Sequence, residues 1–122
     1  MADFSVQPRE HYWYAFDFSD GCTNILDPET PDTLLSYTLH AYLDGEDVTA
    51  TVLGRADKDG PGITDSHGNG QRDTWHTQSG HYVFFLAYGG GVDDTNYAWE
   101  CIGESSSGMT IDLDATMRVK EL

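Results

Sequence analysis

The sequence predicts an all-β domain built as a sandwich of two packed sheets. Two hairpin patterns and one strictly alternating segment near the carboxyl end carry this prediction. Apolar residues recur nowhere at helical spacing over a useful length, and Pro28 and Pro31 interrupt the segment 22–35, where a short helix was the only candidate. Several short strands without helices favour a sandwich or a small barrel.

The carboxyl-terminal segment predicts a hairpin. From residue 109 to residue 119, apolar positions alternate with polar ones, which is typical of a strand with one buried and one solvated face. The preceding segment 97–102 has aromatic and β-branched character. Serines and Gly108 separate the two segments, and glycine adopts a positive φ at little cost. We therefore expect a hairpin that turns at 105–108.

A second hairpin is predicted around Asp44 and Gly45. Apolar and polar residues alternate over 35–43 and again over 48–52, and Asp-Gly between two such runs is a strong hairpin signal. Further strands are predicted at 12–18, at 81–88 and, briefly, near 74–77. Because 81–88 is apolar on both faces, we expect it to lie centrally in a sheet. About seven strands in this pattern predict an immunoglobulin-like antiparallel β-sandwich.

The alternation also predicts which side chains enter the core. In the aromatic segment 12–18, Tyr12, Tyr14, Phe16 and Phe18 share one face, and Trp13 lies on the other. An aromatic-rich core strand is the simpler interpretation of this segment, and a carbohydrate-stacking platform is the alternative. The predicted core comprises Phe16, Leu39, Val83, Phe85, Tyr97, Trp99, Ile111 and Leu113.

Tryptophans outside the predicted core are candidates for an interface, because tryptophan is enriched among the residues that dominate binding energy. Trp13, on the outer face of its strand, and Trp75 are the residues predicted for this role.

Length and charge limit the possible functions. The chain of 122 residues has the length of one domain, and we expect residues 1–122 to share one core. Acidic residues number 21 and basic residues 6, for a formal net charge of -15. Nucleic acid and anionic membrane both require clusters of Lys and Arg, so we expect neither as a partner. Solubility or adaptation to a salty habitat is the simplest interpretation of the negative charge, and calcium binding and docking onto a basic partner surface are the alternatives.

A polar, glycine-rich segment at about 54–80 predicts a long projecting loop. Residues 65–73 resemble the front of a calcium loop, with oxygen-bearing side chains at relative positions one, five and nine and glycine at position six. His67 and His76 replace ligands of that pattern, so a solvated loop is the simpler interpretation and calcium is predicted as at best a weak ligand. The candidate calcium ligands are Asp57, Asp59, Asp65, Asn69 and Asp73.

Catalytic patterns are missing from the sequence. It contains neither a Gly-x-Ser-x-Gly elbow nor a phosphate-binding loop, so we expect no enzyme and no cofactor other than calcium. Cys22 and Cys101 are the only cysteines, too few for a zinc site. The first residues lack the basic and apolar regions of a secretion signal, and we expect synthesis in the cytoplasm. Free thiols are therefore favoured over a disulfide between the sheets, which stays open as the alternative.

The second half of the chain resembles a known family. A strand ends at 86–88 in Leu-Ala-Tyr, three glycines follow at 89–91, and Tyr97 opens the next strand. Gly108 then leads to a terminal strand that ends at 117–119 in Met-Arg-Val. This pattern is similar to that of small immunoglobulin-like virion proteins of tailed bacteriophages, of the fiber–tail adaptor type.

The start of the chain adds to this resemblance, and the predicted loop departs from it. The segment 16–21 is similar to an early Asp-Trp segment of that family, with Phe18 in place of Trp. The acidic loop at about 54–80 is longer than in the family pattern.

The resemblance implies a structural virion protein. Such a protein is made in the host cytoplasm, forms a homo-oligomer, joins other virion structural proteins in the tail or connector, and has no active site. From the residues alone, an extracellular calcium- or carbohydrate-binding β-sandwich module is the alternative. A head-decorating virion protein and a small hydrolase are weaker alternatives.

Overall fold

The computed structural model describes residues 2–20, 29, 32–54 and 76–121. These residues form eight strands and one helix of four residues. The elements in chain order are β1 (Ala2–Val6), β2 (His11–Asp17), β3 (Leu34–Leu43), β4 (Glu46–Asp47), α1 (Thr49–Val52), β5 (His76–Ser79), β6 (Tyr82–Tyr88), β7 (Thr95–Ser105) and β8 (Thr110–Val119).

The strands form two packed sheets, so the predicted all-β sandwich is confirmed. The first sheet has five strands in the order β1-β8-β7-β3-β4, and the second has three in the order β2-β6-β5. Strand β1 runs parallel to β8, and the other pairs are antiparallel. The second, third, sixth, seventh and eighth strands thus occupy the places of strands B, C, E, F and G of an immunoglobulin-like sandwich.

Aromatic side chains fill the space between the sheets. Phe85 of β6 and Trp99 of β7 are fully buried, and their ring centroids are 4.3 Å apart. Phe16 stacks on Phe85 from the neighbouring strand at 5.6 Å. Of the predicted core, Phe16, Val83, Phe85, Tyr97 and Trp99 are buried, whereas Leu39, Ile111 and Leu113 are partly buried and pack against it.

The aromatic strand β2 differs from its prediction at one position. Phe16 and Phe18 are buried as expected, but Tyr12 is 42% exposed. Strand β1, which the sequence pattern did not predict, places Phe4 over this end of the strand, where its ring lies 4.3 Å from that of Tyr14 and 5.8 Å from that of Tyr12. Phe4 therefore covers Tyr14 and leaves Tyr12 at the rim.

The predicted hairpin at Asp44 and Gly45 is present, with φ angles of 52° and 85° at these two residues. Two successive positive φ angles are the geometry of a type I′ turn. The alternating strand expected over 48–52 is wrong, because α1 occupies Thr49–Val52.

Local hydrogen bonds end strand β4 early. The Asp47 carboxylate accepts a hydrogen bond from the Thr49 N–H at 3.0 Å and another from the Thr49 hydroxyl at 2.5 Å. Local side-chain bonds of this kind compete with the backbone hydrogen bonds that would extend the strand. The Ala41 N–H then donates to Thr49 Oγ1 at 2.9 Å. Because the chain turns away here, β4 pairs with only Tyr42 and Leu43 of β3.

The predicted carboxyl-terminal hairpin is present as β7 and β8, and a buried carboxylate holds its turn. Asp32 accepts hydrogen bonds from the Ser106 hydroxyl at 2.7 Å and from the Ser107 N–H and hydroxyl at 2.9 Å each. Burial alone would raise the pKa of Asp32, but the bonds from the serines outweigh it and lower that pKa to about 2. These hydrogen bonds hold the residues before β3 against the turn between β7 and β8.

Segment 54–80 is described only at its two ends. Its last part, His76–Ser79, forms β5, close to the short strand expected near 74–77. Strand β6 lies centrally in its sheet between β2 and β5, as its apolar character on both faces predicted.

Truncating the central ring should cost most of the stability of the domain. Phe85→Ala should lower the free energy of unfolding by about 3–5 kcal/mol, because it leaves a cavity beside the rings of Phe16 and Trp99. Tyr82→Ala, on the exposed side of the same strand, should change it by less than about 1 kcal/mol. Urea denaturation of both variants measures the difference, and equal losses would contradict the packing described.

Removing the charge of Asp32 should destabilise the protein in a pH-dependent way. The pKa of Asp32 is lower in the folded state than its ordinary value of 3.8, so its contribution is complete above that value and lost as pH falls towards about 2. Asp32→Asn should lower the melting temperature by several degrees at neutral pH, and the difference from the unmodified protein should shrink as the pH approaches 2. Asp44→Asn, in an exposed turn, is the control and should show neither effect.

Candidate functional site

The outer side of the three-stranded sheet carries several aromatic rings. Val83, Phe85 and Ala87 point into the core, so the alternate residues of β6 point outward. Trp13 of β2 lies on the same side, next to its partner Leu86, whose side chain is buried at 2% exposure. We call this surface the aromatic face and define it by His11, Trp13, Tyr82, Phe84 and Tyr88.

Two side chains of the aromatic face are exposed, and its other rings form close pairs. Trp13 is 41% exposed and Tyr82 is 43% exposed. The rings of Tyr82 and Phe84 stack with centroids 5.9 Å apart, and those of His11 and Tyr88 lie 4.7 Å apart. An aromatic group of this kind combines a large apolar area with few rotatable bonds, which suits it to bind a partner surface.

His11 gives this face no charge at neutral pH. Burial lowers the pKa of His11, and its Nε2 atom is buried with no hydrogen-bond partner among the described residues. Asp17 at the far end of β2 is instead held locally, because its carboxylate accepts the Ser19 N–H at 2.9 Å and the Ser19 hydroxyl. The middle of the face is therefore apolar and neutral, and it favours stacking over acid–base chemistry.

The outer side of the five-stranded sheet has the opposite character. Glu100, Glu104, Asp112 and Asp114 point outward from β7 and β8, and we call this surface the acidic face. Glu100 lies directly opposite Asp114, and one carboxylate oxygen from each of Glu100, Asp112 and Asp114 lies within 4.8 Å of the others. Like charges placed opposite one another destabilise a sheet.

The crowding changes the acidity of Glu100. Burial, a hydrogen bond with Asp112 and repulsion from Asp112 and Asp114 raise the pKa of Glu100, while His40 opposes the shift. Three carboxylates supply only part of the roughly six to eight oxygen ligands that calcium takes. This group alone is therefore an incomplete calcium site, and its main effect is a strong local negative field.

The predicted site residues fall into two groups. Trp13 lies on the aromatic face, where its strand was expected to place it outward. Trp75 lies outside the described residues, so its role in an interface stays a prediction. The calcium ligands predicted from the loop also lie outside the described residues, namely Asp57, Asp59, Asp65, Asn69 and Asp73.

The described cysteine and two of the histidines are held by the fold itself. Cys101 is a free thiol, and burial followed by repulsion from Asp112 raises its pKa to about 12, which suppresses the nucleophilic thiolate. Cys22 lies outside the described residues.

His76 Nδ1 bonds to the Tyr37 hydroxyl at 2.6 Å, and His81 Nε2 donates to the Asp32 carbonyl at 2.9 Å. The first bond joins β5 to β3 across the two sheets, and the second joins the turn between β5 and β6 to the residues before β3.

Comparisons with known proteins add no assignment: no protein-family model matches the chain, and no curated protein sequence matches it. Within the described ranges, no helix has the length and apolar character that a membrane span requires.

The sequence pattern did not identify the aromatic face as a surface. Tyr82, Phe84 and Tyr88 were hidden in a segment that is apolar on both sides, which predicts burial on both sides. The sequence does not reveal that β6 pairs with β2 and places these rings on the same side as Trp13, because that pairing joins residues about 70 positions apart in sequence. The only signal available was the outward position of Trp13.

Relieving the carboxylate crowding should stabilise the protein. The pKa of Glu100 is raised in the folded state, so its ionisation costs stability above that raised value, and the cost disappears as pH falls towards the ordinary value of 4.5. Glu100→Gln should raise the free energy of unfolding at pH 7 by about 0.2–1 kcal/mol.

Glu104→Gln removes the same charge from the same face outside the group of three carboxylates, and it should give a smaller gain. Thermal unfolding at pH 7 and pH 4 distinguishes the two variants. A loss of stability in Glu100→Gln at pH 7 would show that the carboxylates do not repel one another as described.

Proposed function

We propose that this chain is a non-catalytic binding module that joins other proteins in an assembly, and that the assembly is the tail or connector of a tailed bacteriophage. The aromatic face is the observation that carries the binding role. Exposed, contiguous apolar surfaces on a small domain mark interaction sites, and Trp and Tyr dominate the residues that contribute most to binding. Trp13 and Tyr82 supply both residue types on one flat sheet.

The charge distribution supports a partner with basic groups. The net charge of -15 and the acidic face favour proteins that present Lys and Arg, and such fields accelerate association at low salt. The aromatic face has a neutral centre, so it supplies affinity, while the negative field of the chain favours partners with basic groups. The virion context rests on the hairpin pattern of the second half of the chain, which resembles phage adaptor proteins.

Carbohydrate binding is the second candidate, and the same rings favour it. Trp13 and Tyr82 present flat aromatic surfaces to solvent on one side of a β-sandwich, and such surfaces accept the apolar face of a sugar ring. The negative charge of the chain restricts this candidate to neutral glycans.

The test compares assembly and glycan binding in one set of variants. The chain is co-expressed with the proteins encoded by the neighbouring genes, and complexes are separated by size-exclusion chromatography with light scattering. Trp13→Ala should weaken a complex by at least about 30-fold, corresponding to about 2 kcal/mol for a dominant interface residue. Val92→Ala, which truncates an exposed aliphatic residue outside the aromatic face, should leave the complex unchanged.

A glycan array probed with the same proteins separates the two candidates. Binding to a neutral glycan that is lost in Trp13→Ala, without any protein complex, would establish the second candidate. A chain that stays monomeric, joins no neighbouring protein and is missing from purified particles would overturn the virion proposal. Circular dichroism of each variant confirms that the fold is retained.

A further inference from the structure

Along one edge of the five-stranded sheet, the described residues provide a partner strand for only a short part of its length. Strand β3 spans Leu34–Leu43, but β4 pairs with only Tyr42 and Leu43. Among residues 2–20, 29, 32–54 and 76–121, no strand pairs with β3 on this side between Leu35 and Leu39. At about 3.3 Å per residue, the open stretch is roughly 16 Å long, the length of a short strand.

The backbone of this edge has hydrogen-bonding groups that no other described strand pairs with. Ala41 directs its backbone groups to this side, since its N–H donates to Thr49 Oγ1 and its carbonyl accepts the Val48 N–H. Backbone groups alternate between the two sides of an antiparallel strand, so those of Tyr37 and Leu39 also point to the open side. Each of these residues offers one donor and one acceptor there.

A groove follows this edge between the two sheets. It has a volume of about 570 Å³, and its lining includes Leu35, Tyr37, Leu39, Leu53, His76 and Gln78. A hydrogen bond between Tyr37 and His76 and another from the Gln78 amide to the Leu34 carbonyl join the two sheets across it. Leu35 remains 65% exposed, the largest exposure among the large apolar side chains described.

The described strands at this edge carry acidic residues and no basic ones. Strands β3, β4 and β7 contain no Lys or Arg, and they contain Glu46, Asp47, Glu100 and Glu104. Glu100 and Glu104 project from β7, one strand away from the edge, at His40 and Ser36 respectively. A long basic side chain on an added strand would lie about two strand spacings, roughly 10 Å at the backbone, from these carboxylates.

We propose that an extended segment of another protein, in which apolar side chains alternate with Lys or Arg, binds as an additional strand along β3. Its backbone would pair with Tyr37 and Leu39, its apolar side chains would enter the groove, and its basic side chains would lie beside the acidic face. This inference specifies the chemistry of the partner, and it therefore rests on the proposed binding function. It uses a different surface from the aromatic face.

A second copy of the chain is a poorer occupant for this edge. Pairing of two β3 edges would join two five-stranded sheets into one and bring the acidic residues of both copies together. Since β3, β4 and β7 carry no Lys or Arg, these strands offer no cation to offset that repulsion. Charge complementarity therefore selects a basic strand.

The test uses a capped peptide of about seven residues in which lysine and valine alternate, added to the full-length protein. Amide hydrogen exchange is followed residue by residue by NMR. Binding should slow exchange at Tyr37 and Leu39 and leave Thr38 and His40 unchanged, because the latter two already direct their N–H groups to β7. A matched peptide with glutamate in place of lysine should bind at least about tenfold more weakly.

Two variants with the same charge change provide the control. Leu35→Lys places a cation in the groove and should weaken binding of the lysine–valine peptide by about tenfold. Val92→Lys alters an exposed aliphatic residue of similar exposure, 60%, outside the groove and should leave the affinity within about twofold.

Several results would overturn the proposal. These are no binding of the peptide, protection that does not alternate along β3, equal affinity for the glutamate peptide, or a peptide-free dimer with Tyr37 and Leu39 protected. Failure here with a complex that is still lost in Trp13→Ala would leave the proposed function in place and remove only the strand partner. Loss of both would remove the binding role as well.

Discussion

The contact between Phe85 and Trp99 is the interaction on which the remaining structure depends. It joins the centre of the three-stranded sheet to the five-stranded sheet, with both side chains fully buried and ring centroids 4.3 Å apart. Side chains alternate between the faces of a strand, so placing these two rings inward directs Phe84 and Glu100 outward. Core packing and surface chemistry are therefore set by the same register, and a shift by one residue would exchange them.

The sequence predicts the parts of the fold that depend on neighbouring residues. Alternation over residues 109–119 identified β8, and Asp44-Gly45 identified a turn whose two positive φ angles the structure contains. The strand expected over 48–52 was wrong, because Thr49 donates two hydrogen bonds to the Asp47 carboxylate and a short helix follows, and the alternation of apolar and polar residues does not reveal this turn. Local patterns therefore define elements better than their ends.

The surfaces were harder to predict than the strands, because they depend on pairing between distant segments. The outward position of Trp13 followed from alternation, but its neighbours on the aromatic face come from β6, far along the chain. The three carboxylates meet only because Glu104 pairs with Thr110, which brings Glu100 opposite Asp114. The parallel pairing of β1 with β8, which covers Tyr14 with Phe4, connects the two ends of the chain and has no local signal.

The register set by Phe85 and Trp99 produces the aromatic and acidic faces together, so a direct measurement of side-chain exposure tests it best. Hydroxyl-radical footprinting of the folded protein, read by mass spectrometry, reports the accessibility of each aromatic ring. The account predicts rapid oxidation of Trp13 and Tyr82 and strong protection of Phe85 and Trp99, with all four reacting rapidly in the unfolded chain. Rapid oxidation of Phe85 or Trp99 in the folded protein, or protection of Trp13 and Tyr82 in the monomer, would contradict it.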